Sequence, residues 1–255
     1  MKKIYLTRMM LNPRSNRVRS EVGRPQELHK TISNAFPEVK NPPDTPKHLQ
    51  KTPRNEYNIL YRLDIDPRGG KAVLLIQAEY EPNWNHLPAD YAEISKPKDV
   101  GENYQAIENG MNLIFRLQAN PTKRVANRYE YPNESKRDEF DHKFKNEKKR
   151  RRVPIHKEEE QIKWLERQGE QFGFKIENLK INPAVRNVIS ATEGKIEFWK
   201  NGKDTKVTYG SIVFEGVLQV TDSDKFRAAL VNGIGQGKAY GFGLLSIAPE
   251  RAASA

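Results

Sequence analysis

Five glycines stand within eleven residues in Gly233-Ile-Gly-Gln-Gly-Lys-Ala-Tyr-Gly-Phe-Gly243, with one cation, Lys238, among them. A backbone so bare of side chains lets another chain approach its N–H groups closely. With a lysine beside them, that arrangement suits a phosphodiester. Two familiar phosphate loops do not fit. A Walker loop needs glycine at 232 and Ser or Thr after Lys238, where Asn232 and Ala239 stand. A G-x-G-x-x-G register is absent, and the segment follows a predicted helix instead of opening one. The plain alternative is a flexible connection from helix to strand.

A second chemistry centres on imidazole. His29 sits one position past Leu28, at the edge of the apolar stripe of a predicted helix. Most helical histidines there are ordinary surface residues, yet imidazole is the side chain that moves protons near neutral pH. His48 and His142 fall in polar loops, and His86 and His156 near predicted helix starts; none has metal-ligand spacing with another. Asp64-x-Asp66 and Asp222-x-Asp224 are better read as a turn opener and a helix cap than as metal pairs. No metal site is therefore expected. Lys200, Lys203 and Lys206 cluster around Asn201-Gly202 at the tip of a predicted hairpin. A charged tip protects a sheet edge, and a basic finger of this shape also suits a nucleic-acid groove.

The whole chain leans the same way. Its 255 residues carry 44 Lys+Arg against 33 Asp+Glu, a net +11, which points to a polyanion and first of all to nucleic acid. The absence of cysteine excludes a disulfide framework, a zinc ribbon, an iron–sulfur cluster and a thiol nucleophile. No apolar run approaches the roughly 20 residues that span a bilayer. Arg8 interrupts the apolar N-terminal stretch, so a strand is expected there, not a signal peptide, and a cytoplasmic protein.

The elements that must position these groups read as follows. Lys3 to Leu11 is a strand, and the basic stretch holding Arg14, Arg17, Arg19 and Arg24 a mobile loop. Pro25 opens a helix, because its missing N–H costs nothing at a first turn. Leu28, Ile32, Ala35 and Phe36 make its apolar stripe. Tyr57 to Ile65 and Lys71 to Tyr80 pair across Asp66-Pro67-Arg68-Gly69-Gly70. A short helix is expected within Trp84 to Ile94, and a strand over Asn112 to Ala119 to close the first unit. Lys136 to Arg152 holds nine Lys/Arg and four Asp/Glu and should be a disordered or partly ordered connection. A helix from Lys157, strands over Phe174 to Ile181, Val185 to Lys200 and Lys206 to Val220, a helix capped by Asp222 and a strand over Phe242 to Ile247 complete the second unit. The order strand, helix, strand, strand, helix, strand suits an α+β chain of two tandem ferredoxin-like, or RRM-like, domains. The divisions are residues 1–122, a basic linker or insertion over 123–154, and residues 155–255.

Five segments in order carry a resemblance. Pro25-Gln-Glu-Leu-His-Lys-Thr-Ile-Ser, Phe115-Arg-Leu-Gln-Ala-Asn-Pro-Thr-Lys123, Gln161-Ile-Lys-Trp-Leu-Glu-Arg with Gly173-Phe174, Ile212-Val-Phe-Glu-Gly216, and Gly233 to Pro249 form the set. Together they resemble the CRISPR-associated endoribonucleases of type I-E systems, the CasE family. The resemblance implies tandem ferredoxin-like domains and cleavage of CRISPR repeat RNA at the base of a stem-loop. It also implies retention of the guide RNA as a subunit of Cascade beside other subunits. The family's helical histidine falls on His29, and its basic hairpin on Lys200 and neighbours. Where a Tyr commonly stands three residues before the histidine, this chain has Gln26. The expected catalytic set is His29, Lys200 and Gln26. RNA contacts are expected from Arg24, Lys203, Lys206, Lys238 and the glycines Gly235, Gly237, Gly241 and Gly243, with no cofactor. A ribonuclease of this kind uses the RNA's own 2′-hydroxyl as nucleophile and leaves a 2′,3′-cyclic phosphate. Two other readings stay open: a non-catalytic guide-RNA subunit, and a general tandem-RRM protein. The second lacks the aromatic pattern its central strands should show in Ile114-Phe-Arg-Leu-Gln-Ala and Ile212-Val-Phe-Glu-Gly.

Overall fold

The computed structural model describes residues 2–46, 49–66, 68, 70–125, 151–200 and 205–250. Two antiparallel sheets organise them. The first contains β1 (Tyr5–Leu11), β2 (Leu60–Ile65), β3 (Ala72–Ala78), β4 (Ala92–Ile94) and β5 (Lys98–Asp99). Its order is β2-β3-β1-β4, with β5 also on β1. Alternation drives it: Thr7, Met9 and Leu11 of β1 turn inward, as do Leu74 and Ile76 of β3. Over them lies α2 (Pro25–Ser33), whose Leu28 and Ile32 are 3% and 1% exposed. Burying each contributes about 1.5–3 kcal/mol. The expected stripe is present, since Ala35 and Phe36 join the same core.

The second sheet contains β6 (Asn112–Ala119), β9 (Phe174–Ile176), β12 (Val188–Lys200), β13 (Thr205–Val220) and β14 (Leu245–Pro249), in the order β12-β13-β6-β14, with β9 on β13. Between β9 and β12, the short strands β10 (Asn178–Leu179) and β11 (Asn182–Arg186) pair only with each other. The helices α5 (Glu158–Phe172) and α6 (Ser223–Asn232) cover the sheet through Trp164, Leu165, Phe226 and Leu230. Asp222 caps α6 as expected, its Oδ1 accepting from the Lys225 N–H at 3.1 Å.

Four expectations need correction. Asn112–Ala119 does not close the first unit; it pairs with Ile212–Gln219 and Leu245–Pro249 at the centre of the second sheet. Local alternation identifies a strand but not its partner, and here the partner lies about a hundred residues away. The boundary at residue 122 therefore falls too late. Of the two readings of segment 123–154, the described ends fit an insertion and not a linker between units, because β7 (Thr122–Val125) and β8 (Arg151–Pro154) pair with each other as a ribbon leaving the second unit; residues 136–150 lie outside the described residues. The stretch after Pro13 is no loop throughout, since Asn16–Val22 forms α1. Buried Glu21 holds it: Oε1 accepts from Arg17 Nε at 2.7 Å and Thr31 Oγ1 at 2.8 Å, and Oε2 from the Tyr91 hydroxyl at 2.7 Å. No helix forms within Trp84 to Ile94; the helical turn is α4 (Gly101–Gln105) instead.

Side chains lock the sheets together. Gln77 Nε2 donates to the Leu230 carbonyl at 2.7 Å and Arg62 Nη1 to Ser246 Oγ at 2.8 Å. The pair Asp64-x-Asp66 opens a turn as expected, through Asp66, while Asp64 pairs with Arg62 at 2.9 Å and with Arg116 of β6 at 3.0 Å. Asp66 accepts from the Arg68 N–H at 2.9 Å.

Candidate nucleic-acid cleavage site

The glycine-rich segment is folded, not slack. Ile234 N–H donates to the Gly243 carbonyl at 2.9 Å and closes the loop, while Gly243 N–H donates to the Gln118 carbonyl of β6 at 2.8 Å. Ile234 and Phe242 are completely buried and anchor it. Between them Lys238–Tyr240 makes one 3₁₀ turn, bracketed by Gly237 at φ +79° and Gly241 at φ +89°. Side-chain-bearing residues rarely adopt that conformation. Space is also short: a Cβ on Gly241 would stand 3.3 Å from the Tyr61 ring.

This turn of the second unit packs on α2 and β2 of the first. The Tyr61 hydroxyl fastens it by donating to the Ala239 carbonyl at 2.9 Å. Burial pushes the Tyr61 hydroxyl far above the ordinary tyrosine pKa, so it remains a donor. Lys238 Nζ donates to the Asn232 carbonyl, the last of α6, at 2.7 Å. The lysine is thereby held in place with N–H donors to spare.

His29 stands on α2, the helix this turn packs against. Its Nδ1 is buried without a hydrogen-bond partner. Burial, then the charge of Arg54, lower its pKa, so the imidazole is neutral at physiological pH. Burial and Arg54 lower the Lys238 pKa as well. Arg54 belongs to the single-turn helix α3 (Pro53–Glu56); its Nη1 donates to Asn55 Oδ1 at 2.5 Å, and its Nε is buried without a partner. Arg54 thus disfavours the protonated form of both His29 and Lys238. An anion among the three would relieve that repulsion. Arg54 had no sequence signal, standing in a proline-rich stretch with no periodic pattern. Only tertiary packing brings it to His29.

The basic hairpin reaches the same place. β13 pairs with β6 only from Ile212 onward, so β12 and β13 continue past the sheet as a two-stranded ribbon to Lys200↔Thr205. Phe198 and Tyr209 of that ribbon pack against Tyr240, with ring centroids 4.3 and 5.6 Å away, and Tyr209 lies 5.7 Å from Phe242. The backbone at Lys200 is two residues beyond Phe198, and Lys206 pairs with Trp199. Lys203 lies outside the described residues. Gln26 is half-buried on α2 three residues before His29, and Arg24 is exposed at the position preceding the helix. Gly235 is half-buried, and a Cβ placed on it would stand 3.4 Å from the Trp164 ring.

Residues 4–249 match a protein family described as CRISPR associated protein. The chain belongs to that family. Across 248 residues it is 30% identical to the CRISPR-associated endoribonuclease Cse3 of Thermus thermophilus, covering 96% of this chain and 100% of that one. It is 32% identical over 229 residues to the CRISPR system Cascade subunit CasE of Escherichia coli, covering 88% and 91%. A solved structure of Cse3 bound to a 19-nucleotide RNA superposes with a TM-score of 0.73 at 30% identity, over 97% of this chain and 100% of that one. In this CRISPR-associated chain the glycine turn lies between the helix that carries His29 and the β12–β13 ribbon.

Proposed function

We propose that this CRISPR-associated chain is an endoribonuclease that cuts CRISPR repeat RNA at the base of a stem-loop and keeps the product as a Cascade subunit. Its two units are ferredoxin-like, divided between α4 and β6. The observation that carries the reading is that the turn bearing Lys238 packs on α2, the helix that bears His29, with Arg54 acting on both. The names of Cse3 and CasE support the substrate and the assembly.

The chemistry follows from that grouping. Neutral His29 takes the proton of a ribose 2′-hydroxyl, and O2′ attacks the adjacent phosphorus. The P–O5′ bond breaks, O5′ takes up a proton, and the products are a 2′,3′-cyclic phosphate and a 5′-hydroxyl. Negative charge grows on the non-bridging oxygens along the way, where Arg54, Lys238 and the nearby Lys200 stabilise it. The nucleophile is the RNA's own, so base and cations from the protein suffice and no metal ion is required. Among the described residues no helix is long and apolar enough to cross a membrane.

Incubation of the protein with end-labelled repeat RNA in EDTA tests the reading. A cyclic phosphate should appear on the upstream fragment. His29→Ala should slow cutting about 10²–10⁴-fold, the usual worth of a general base, with affinity kept within about tenfold. A strict Mg²⁺ requirement or a 5′-phosphate on the downstream fragment refutes the mechanism. Tight binding without cleavage would leave a non-catalytic guide-RNA subunit.

A further inference from the structure

A cleft of about 930 Å³ opens between the two sheets, with α2 at its mouth. Tyr61, Leu63 and Tyr240 give it flat apolar walls, and Gln118, Glu193 and Ser211 a polar wall. Glu193 reaches it through an irregularity in β12. Thr192 pairs with Ile212 and Gly194 with Ser211, so Glu193 is an extra residue with no partner on β13. Gly194 at φ +118° takes up the distortion. Bulges of this kind re-aim a side chain.

The carboxylate so aimed is held but not used up. Its Oε2 accepts from Gln118 Nε2 at 3.0 Å and from Ser211 Oγ at 3.3 Å. Both donors are buried, at 8% and 3% exposure, and Gln118 Nε2 also donates to Ser211 Oγ at 2.8 Å. Oε1 faces Arg116 Nη2 at 4.0 Å, an ion pair at the limit of contact that leaves it room to accept further hydrogen bonds. An exposed carboxylate held in this orientation, on the face proposed to meet a polyanion, repels phosphate. It favours RNA only where it accepts hydrogen bonds from a base.

We propose that this cleft is a subsite for one unpaired guanine of the RNA, near the bond whose cleavage His29 promotes. The inference rests on the ribonuclease reading above. Guanine alone presents two adjacent donors, N1–H and N2–H₂, on one edge, and the two can converge on Glu193 Oε1, since Oε2 is already occupied. Adenine and cytosine put an acceptor nitrogen next to their amino group, and uracil offers a single N–H between two carbonyls. Tyr240, half-buried, supplies a ring face against which a base can lie.

The test uses the repeat stem-loop RNA with its unpaired flanking nucleotides randomised. Bound and cleaved fractions are sequenced separately for the wild type, Glu193→Gln and Glu193→Ala, with melting temperatures read in parallel. The wild type should enrich guanine at one flanking position about tenfold or more in the bound fraction, the usual worth of a two-point base contact. Both variants should bind the pool and lose that enrichment. The proposal is overturned if the wild type shows no guanine enrichment at any position, or if folded variants keep it. Because binding is read without cleavage, absence of cutting with guanine enrichment intact would count against the ribonuclease reading and not against the subsite.

Discussion

Removing one hydroxyl should separate the docking of the glycine turn from everything else it does. Tyr61 is 2% exposed, and its O–H to the Ala239 carbonyl is the hydrogen bond that ties the turn to β2. Tyr61→Phe keeps the ring under Gly241 and leaves that carbonyl without its donor. An unmet buried partner costs about 1–2 kcal/mol. For a chain of this size each kcal/mol lowers Tm by about 2–4 °C, so a fall of about 2–8 °C is expected in a thermal melt followed by circular dichroism. Lys238 rides on the same turn. Its misplacement should slow single-turnover cleavage at saturating RNA about tenfold, inside the roughly hundredfold that a 1 Å displacement can cost. An unchanged Tm means the bond contributes nothing in solution. A lowered Tm with an unchanged rate means that docking of the turn does not position reacting groups, and the reasoning about Lys238 fails.

Gln26→Ala should slow cleavage about tenfold, far less than loss of His29, because an amide orients a phosphate or ribose but exchanges no proton near neutral pH; Gln26→Tyr should be tolerated. Equal loss in Gln26→Ala and His29→Ala, with RNA still bound, refutes a single-imidazole mechanism. The pH profile of kcat/KM should fall on the acid side through the His29 pKa, which lies below the ordinary imidazole value of 6.5. Arg54→Ala removes one of the two causes of that lowering, so the acid limb should move to higher pH; a shift the other way contradicts the assignment. Deleting residues 136–150 should flatten the salt dependence of RNA binding in a filter or anisotropy titration, because fewer counterions are released, and leave low-salt cleavage intact. Loss of cleavage at saturating RNA would make the segment part of the site.

The helix that carries His29 was legible because its signals are local: Pro25 at the first position and Leu28, Ile32, Ala35 and Phe36 on one face. The β2–β3 pair was legible for the same reason, two alternating runs around a turn. What sequence reading missed is held by contacts between distant residues. α1 depends on Glu21 bonding to Thr31 and Tyr91, and its own run of Arg17, Arg19 and Glu21 looks merely solvated. The affiliation of β6 depends on pairing with β13, and the expected helix near Trp84 gives way to packing of Trp84 against Phe36. In the site, His29 and Lys238 were named from residue type, but nothing in the order of residues joined them to Arg54 or aimed Glu193 at a cleft.

The glycine turn on β2 puts the two halves of one reaction at opposite ends of synthesis. His29 leaves the ribosome early, and Lys238 follows roughly two hundred residues later, about 10–40 s at ordinary elongation rates. During that interval the first unit can fold around its imidazole, yet the cation that completes the site has not been made. Under the mechanism proposed above, a nascent chain therefore holds its base before its last cation. The proposed site is complete only when the final turn settles against Tyr61.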